Sequence, residues 1–369
     1  MYTSSFIQNE IINTFGHLIQ SQIVRNVRKS ISYSILADET TDISQIEQFS
    51  LCVRYVEDQS YKIREDFLSF VPVYDVTGAG LANTVLETLS ILGFDLKKMR
   101  GQGYNGAAMM RGRFRGVQAS IKEKLPLALY THCSSHSLNL CLSDASNIPS
   151  IRNCMGVIKE VCRSFHMSAK NLSEAIGNVT SVLGLLSKQR VNANDNFKTL
   201  YAQVKEIAAK LDIKEEIPRV CHLQTARNNV LYSIDEEYYR RAVYVPYLDD
   251  FCNSLKERFE SHKETVASLQ HILPEFCTKT NFYSLEAAFS FYEEDFSHKE
   301  VVQSEFMLWK EKWSQEKSEN LPKTAISSLE KCDKTFFPNI YILLKLLAVL
   351  PVSVATVERS FSSLRRLKT

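Results

Sequence analysis

Apolar residues in the first third of the chain recur at two spacings. Residues 5–29 follow a helical period and end in a basic patch, Arg25, Arg28 and Lys29. Ser32 to Ala37 is a short, mostly apolar strand, which the polar turn Asp38–Asp42 closes. Residues 47–57, EQFSLCVRYVE, mix β-branched and aromatic residues with partial alternation and predict a second strand. Residues 61–73, YKIREDFLSFVPV, predict a third, with Pro72 at its end. Three strands with short connections imply an antiparallel meander. Thr77–Leu92 then reads as a helix, with Thr77 as N-cap and Gly93 as C-cap. A short strand over 96–100, a helix over 107–124, a strand over Leu127–Thr131 and a helix opening near His136 complete the series.

Beyond about residue 150 the strand signals stop. Residues 152–167, 171–188, 197–211, 228–242, 246–271 and 299–316 all favour helix. Residues 314–338 are more polar and predict a loop. NIYILLKLLAVL and PVSVATVERSFSSLRRLKT return to helix, with Pro351 placed just before the last one. There Val354, Val357, Phe361, Leu364 and Leu367 form an apolar stripe at steps of three and four. Four segments follow: an N-terminal helix (1–30), the first part of a sheet domain (31–150), an all-α region (151–335) and a C-terminal part (336–369). Three meander strands followed by αβαβα is the order of the ribonuclease-H-like fold, an α/β class with a mixed sheet and helices.

Composition adds limits. Of 369 residues, 44% are hydrophobic and 23% charged, an ordinary globular balance. With 44 Lys and Arg against 42 Asp and Glu, net charge selects no partner, and any basic surface must come from local clusters. No run of 18 apolar residues occurs, so no membrane partner is expected. The opening MYTSSFIQNEIINTFG carries Glu10 and lacks the basic flank and apolar core of a secretory signal. The 9 cysteines are odd in number and without paired spacing, which fits a reducing compartment, nuclear or cytoplasmic.

Candidate chemistry begins with residues 101–112, GQGYNGAAMMRG. As a turn this is self-sufficient: Gly103 and Gly106 allow positive φ, and Asn105 tolerates it. Asp38 could simply cap the turn DETTD, and Glu358 could be a solvated helix residue paired with an arginine. Cys133 and His136, with His132 beside them, suggest zinc, but no second Cys/His pair stands at a suitable spacing. The clusters Arg111–Arg113–Arg115 and Arg365–Arg366–Lys368 could meet phosphate or form solvated helix faces.

Four segments, in order, resemble the hAT superfamily of transposases. PVSVATVERSFSSLRRLKT resembles its C-terminal signature, in which a Pro and small residues precede Glu-Arg-x-Phe-Ser. SILADETTDISQIEQFSLCVRYV resembles its first two catalytic-domain strands, GQGYNGAAMMRG its turn G-Q-G-Y-D-G-A-A-N-M-x-G, and HCSSHSLNL its Cys-x-x-His segment. LQTARNNV (223–230) is similar to the RQTxRxNV of the branch of zinc-finger MYM-type proteins and repressors of the inhibitor of protein kinase.

The resemblance covers nearly the whole chain. It implies a ribonuclease-H-like core interrupted by a large helical insertion. It also implies metal-dependent cleavage and transfer of DNA, with Asp38, position 105 and Glu358 as the acidic set. Phosphodiester attack of this kind uses two divalent ions, Mg2+ or Mn2+, held by carboxylate oxygens; here Asp38 and Glu358 would be the metal ligands. By the same resemblance Cys133, His136, Arg111, Arg113 and Arg359 lie near DNA, and Val357, Phe361 and Leu364 belong to the dimerisation region.

The departures matter as much. Asn105 stands where the family has Asp, and Met109 where it has Asn. Asparagine keeps the shape and one oxygen but loses the charge. For a unit charge near 4 Å that is about 4 kcal/mol at an effective dielectric of ~20. Even heavily discounted, it predicts a roughly tenfold to thousandfold loss of metal affinity. The family's Thr-Arg-Trp segment is absent, because Trp309 and Trp313 fall in a late helix of mixed charge. Its zinc-finger DNA-binding module is not in this sequence, and its dimerisation helices extend past Thr369. The expectation is a transposase-derived protein with a degenerate centre that associates with itself through its C-terminal helices and binds DNA weakly, with no small-molecule substrate. An active transposase that tolerates Asn105, or a truncated relic without function, are the alternatives.

Overall fold

The computed structural model describes residues 4–41, 47–104, 108–112, 114–133, 137, 140–141, 143–144, 172–213, 234–259, 263–351 and 353–367. Helix α1 (Ser5–Lys29) turns Ile23, Val24 and Val27 inward and leaves its N-terminal half exposed. Three antiparallel strands follow, β1 (Tyr33–Thr41), β2 (Glu47–Glu57) and β3 (Lys62–Val73). Helix α2 (Gly78–Ile91) leads to β4 (Met99–Tyr104), and β5 (Leu129–His132) closes the sheet. The strand order is β3-β2-β1-β4-β5, with β4 parallel to β1 and β5 parallel to β4. This is the mixed five-stranded sheet that the element order predicts.

Local chemistry accounts for the boundaries. Thr77 caps α2, its side chain accepting from Gly80 N–H at 3.1 Å, and Gly93 leaves the helix at φ +80°. Pro72 is tolerated because β3 is an edge strand.

Three boundaries differ from expectation. β1 does not stop at Ala37: Asp38 pairs with Ser50 and the ladder continues to Thr41 opposite Glu47, so partner strand β2 carries polar residues into the sheet. β4 does not end before the glycine motif but runs through GQGY. The helix expected over 107–124 is broken into α3 (Ala108–Arg111) and α4 (Val117–Lys124), because Gly116 N–H bonds back to Gly112 O at 3.1 Å.

The chain divides into two compact units, one of Met1–His136, Ala169–Ala175 and Glu260–Thr369, the other of Ser137–Ser168 and Ile176–Phe259. The second unit is all helical where described. It contains α5 (Leu172–Val191, most of it), α6 (Ala193–Lys210) and α7 (Val245–Phe259). Its core joins Leu183 and Leu186 to Phe251 and Leu255. This unit closes at Phe259, whereas the sequence pattern placed the end of the insertion at 335; the described residues after it belong to the unit that holds the sheet. The predicted helix over 152–167 and the LQTARNNV segment lie outside the described residues.

Within the first unit, α8 (Lys299–Ser314) buries Trp309 and Trp313, and the indole N–H of Trp309 donates to Ile272 O at 2.9 Å. Helix α9 (Pro338–Val349) starts against a buried carboxylate. Glu305 accepts from the backbone N–H groups of Asn339 (2.9 Å) and Ile340 (3.2 Å), a favourable charge at a helix N-terminus. The stretch 314–338 is not wholly loop; it holds the short helix Ala325–Leu329, closed by a Thr324/Ser327 capping box. Helix α10 (Ala355–Leu367) ends the described chain and packs on β1, β2 and β3. Its start is capped by Ser353 rather than marked by Pro351, with Ala355 N–H donating to Ser353 Oγ at 3.0 Å.

Candidate functional site

Strand alternation decides which side chains can meet. On β1, Tyr33, Ile35 and Ala37 point into the large core shared with α1, α2 and α4. Ser34, Leu36 and Asp38 therefore point to the opposite face. There Leu36 joins Cys52, Cys133, Val354 and Val357 in a second buried cluster, with Phe361 at its edge. The last helix thus covers the face that carries Asp38.

The glycine motif is built for that cover. Gly101 and Gly103 lie beside Ser34 and Leu36 on the same face. A Cβ at Gly103 would stand 2.8 Å from Pro351 Cβ and 3.0 Å from Leu36 Cδ2. A Cβ at Gly101 would stand 3.0 Å from Pro351 Cδ and closer still to Ser34 Oγ. These two glycines admit the α9–α10 connection onto bare backbone; they do not serve a turn. The alternate residues serve the other face. Gln102 donates to Ala128 O at 2.9 Å and accepts from Tyr104 OH at 3.0 Å, all buried.

Helix α10 is then locked in place by polar contacts. Arg54 of β2 donates to Ala348 O, at the end of α9, from Nε (3.2 Å) and Nη2 (3.1 Å). The same guanidinium pairs with Glu65 of β3, which also accepts from Thr356 Oγ1. Ser360 Oγ lies 2.6 Å from Ser50 Oγ, and Ser50 is the cross-strand partner of Asp38.

Glu358 sits two residues before Ser360, exposed in the first turn of α10, and its charge acts on Asp38. The Asp38 carboxyl is only 8% exposed and is pushed up to about 7. Burial is the largest cause; the charges of Glu358 and Glu39 add to it, and the Glu39 N–H, donating to Oδ1 at 2.9 Å, opposes it. Glu358, more than 300 positions on in sequence, thus stands on the helix that covers the Asp38 face, and its charge helps to raise that carboxyl.

Position 105, expected to complete the set, lies outside the described residues; β4 ends at Tyr104, in register with Ala37, the residue before Asp38. Among the described residues no three Asp, Glu, His or Cys side chains gather as a metal site. Cys133 is buried in the apolar cluster beneath α10, and His136 lies outside the described residues. Arg111 ends α3, with its side chain outside the description, as is all of Arg113. Arg359 is exposed and donates to Thr356 Oγ1 at 3.2 Å.

The stripe assigned to dimerisation points inward over its first part: Val357 is fully buried on this chain's own sheet, and Phe361 stacks on Phe70 at 5.9 Å. An amphipathic period says that a face is covered, not by what. Leu364 follows on the same helix, its side chain outside the description. No helix among the described residues is long and apolar enough to cross a membrane.

Comparison with known proteins agrees with the fold. Residues 1–116 match the ZMYM1/FAM200 RNase-like domain, which here spans α1, β1–β4, α2 and α3. Residues 303–369 match the hAT family C-terminal dimerisation region, which here includes α9 and α10. The whole chain aligns with the 52 kDa repressor of the inhibitor of the protein kinase of Homo sapiens (24% identical) and of Mus musculus (23%). Both alignments run over 482 positions, so the relatives carry further residues inside the span that these 369 match. The chain spans 63% of the length of these relatives. The chain thus carries a match to an RNase-like domain at its front and to a hAT dimerisation region at its back, and over its whole length it is similar to the 52 kDa repressors of the inhibitor of the protein kinase.

Proposed function

We propose that this chain is a transposase-derived protein whose centre no longer cleaves DNA efficiently and whose retained work is association with itself and with DNA. The observation that supports the reading is that Glu358 stands on the helix covering the Asp38 face of the sheet, where its charge helps to raise the Asp38 carboxyl, in a sequence that has Asn105 where the third acid is expected.

Two carboxylates fit a hard divalent cation such as Mg2+ or Mn2+, and Asp38 and Glu358 would hold it. When bound, such an ion supplies Lewis-acid polarisation of a phosphodiester oxygen. The chain's own contribution is positional. Glu39 N–H orients the Asp38 carboxylate, and the Arg54–Glu65–Thr356 contacts fix the helix that carries Glu358. A neutral amide at 105 leaves this set one negative charge short of the three-acid arrangement, which supports a weak centre.

Self-association is supported by the match of residues 303–369 to a dimerisation region. Because Val357 is spent on the chain's own core, the contact would use the exposed apolar side chains of that region, Met307, Leu308 and Phe336. The relatives' description as a repressor accords with a regulatory role, in the nucleus or the cytoplasm.

The test is a cleavage assay on linear duplex DNA in Mn2+, with wild type beside Asn105→Asp. The reading expects little product from wild type and at least tenfold more from the variant. Equal, efficient cleavage by both would replace it with an active transposase.

A further inference from the structure

Helix α1 carries an apolar face that its own fold does not use. Ile11, Ile12, Phe15, Leu18 and Ile19 are between 39% and 65% exposed. At about 100° per residue all five fall on one side of the helix, centred on Phe15. The side that meets the sheet is the other one. Val24 stands half a turn around from Phe15 and is buried together with Val27, while buried Ile23 lies at the border of the two sides. Gln20, on the same side as Val24, donates from Nε2 to Leu68 O of β3 at 3.1 Å.

The order of residues on the exposed face is a palindrome. Counting outward from Phe15, Ile12 and Leu18 stand three positions away, Ile11 and Ile19 four, and Gln8 and Gln22 seven. An apolar centre is thus closed at both ends by the same polar residue. A two-fold axis through Phe15 that sets two copies of α1 antiparallel places Phe15 on Phe15, Ile12 on Leu18, Ile11 on Ile19 and Gln8 on Gln22. Every apolar side chain then meets an apolar one, and the glutamines form a polar rim. A symmetric contact between copies requires this self-complementarity; a helix resting on a different protein does not.

Charge and hydrogen bonding agree with a second copy as the occupant. Between residues 5 and 24 the titratable side chains are Glu10 and His17, both turned away from the face by the helical spacing. The two-fold register sets Glu10 level with Gln20 and His17 level with Asn13, so no like charges meet. Thr14, beside Phe15, donates its hydroxyl to Glu10 O at 2.8 Å, and Gln22 Nε2 donates to Asn26 Oδ1 at 2.9 Å. A helix that lies on a membrane carries a polar side rich in Lys and Arg, which residues 5–24 lack.

The area is sufficient. Each of the five exposed side chains offers on the order of 100 Å². Two copies face to face therefore bury on the order of 1,000 Å², the lower end for a specific, reversible interface. Phe6, also exposed, lies on the other side of the first turn and is not part of the palindrome.

We infer that the exposed face of α1 is a docking surface for a second copy of this chain, which pairs through its own α1, antiparallel, about a two-fold axis at Phe15. The contact is separate from the one proposed for residues 303–369 and does not depend on it.

The test is sedimentation of the full chain at up to about 100 µM. It compares wild type with Met307→Glu/Leu308→Glu, which removes the other proposed contact. The α1 pairing predicts that Met307→Glu/Leu308→Glu still dimerises. In that background Phe15→Glu should weaken the dimer roughly tenfold or more, and Ser21→Glu, off the face, should not. Ile12→Glu and Leu18→Lys should each weaken it as well. Combined, they should associate more tightly than either alone, because residue 12 of one copy faces residue 18 of the other. All the substituted side chains are exposed, so circular-dichroism spectra should stay as in wild type.

If wild type dimerises and Met307→Glu/Leu308→Glu is monomeric, the α1 contact is overturned and the contact at 303–369 stands. Monomeric wild type overturns both; its Phe15-dependent binding to phosphatidylcholine–phosphatidylserine vesicles would then assign the face to a membrane. A dimer that survives Phe15→Glu, or that Ser21→Glu disrupts equally, also overturns the α1 contact.

Discussion

Replacing Asp38 by Asn should stabilise the protein at alkaline pH and change little near pH 4. In the fold the Asp38 carboxyl titrates at about 7, against 3.8 for an ordinary one. Between these values the folded chain keeps a proton that the unfolded chain has lost. Stability therefore falls as pH rises from about 4 to about 7 and is level above that. The gap corresponds to an upper figure of about 4 kcal/mol. Burial supplies most of it and the Glu358 charge a smaller part, while the Glu39 N–H works in the opposite direction. Asparagine keeps an acceptor for that N–H and carries no charge to desolvate. Thermal melting of wild type and Asp38→Asn at pH 4.5 and pH 8 is the assay. The variant should gain several degrees at pH 8, on the order of 2–4 °C per kcal/mol for a chain of this size, and nearly nothing at pH 4.5. Glu358→Gln should give a smaller gain of the same sign. A variant less stable than wild type at both pH values would refute the placement of a strained carboxylate on the α10 face.

Two further substitutions probe how the site is assembled. Gly103→Val should push Pro351 off β4 at a cost of about 1–3 kcal/mol, raising hydrogen exchange in 353–367 and weakening the pH dependence attributed to Asp38; unchanged exchange would count against the close approach at Gly103. Glu305→Ala strips the N-terminus of α9 of its buried acceptor and should cost about 1–3 kcal/mol in urea unfolding, with Glu305→Gln recovering part; a neutral alanine variant would contradict the capping role.

Much of the sheet was legible because its signals are local. The β-branched and aromatic run 47–57 and Thr77 with Gly93 depend on neighbours in sequence, and the structure follows them. What failed depended on distant partners. Asp38 looked like a turn residue because nothing local shows that Ser50 will pair with it. Gly101 and Gly103 looked like turn glycines because Pro351, which needs their bare backbone, lies some 250 positions away in sequence. The spacing of Val354, Val357 and Phe361 was correctly read as an apolar face, but the chain's own β1 and β2 cover it. The expectation that Glu358 belongs with Asp38 came only through family resemblance; no spacing argument could have joined them.

The central claim is that Asp38 and Glu358 remain as two parts of a metal site weakened by the missing charge at 105. Titration of Mn2+ into wild type, Asn105→Asp and the double variant Asp38→Asn/Glu358→Gln, followed by calorimetry, addresses it without any need for DNA or turnover. The account predicts weak binding to wild type, binding at least tenfold tighter to Asn105→Asp, and none to the double variant. Mn2+ binding to wild type as tight as to Asn105→Asp, and undiminished in the double variant, would contradict it.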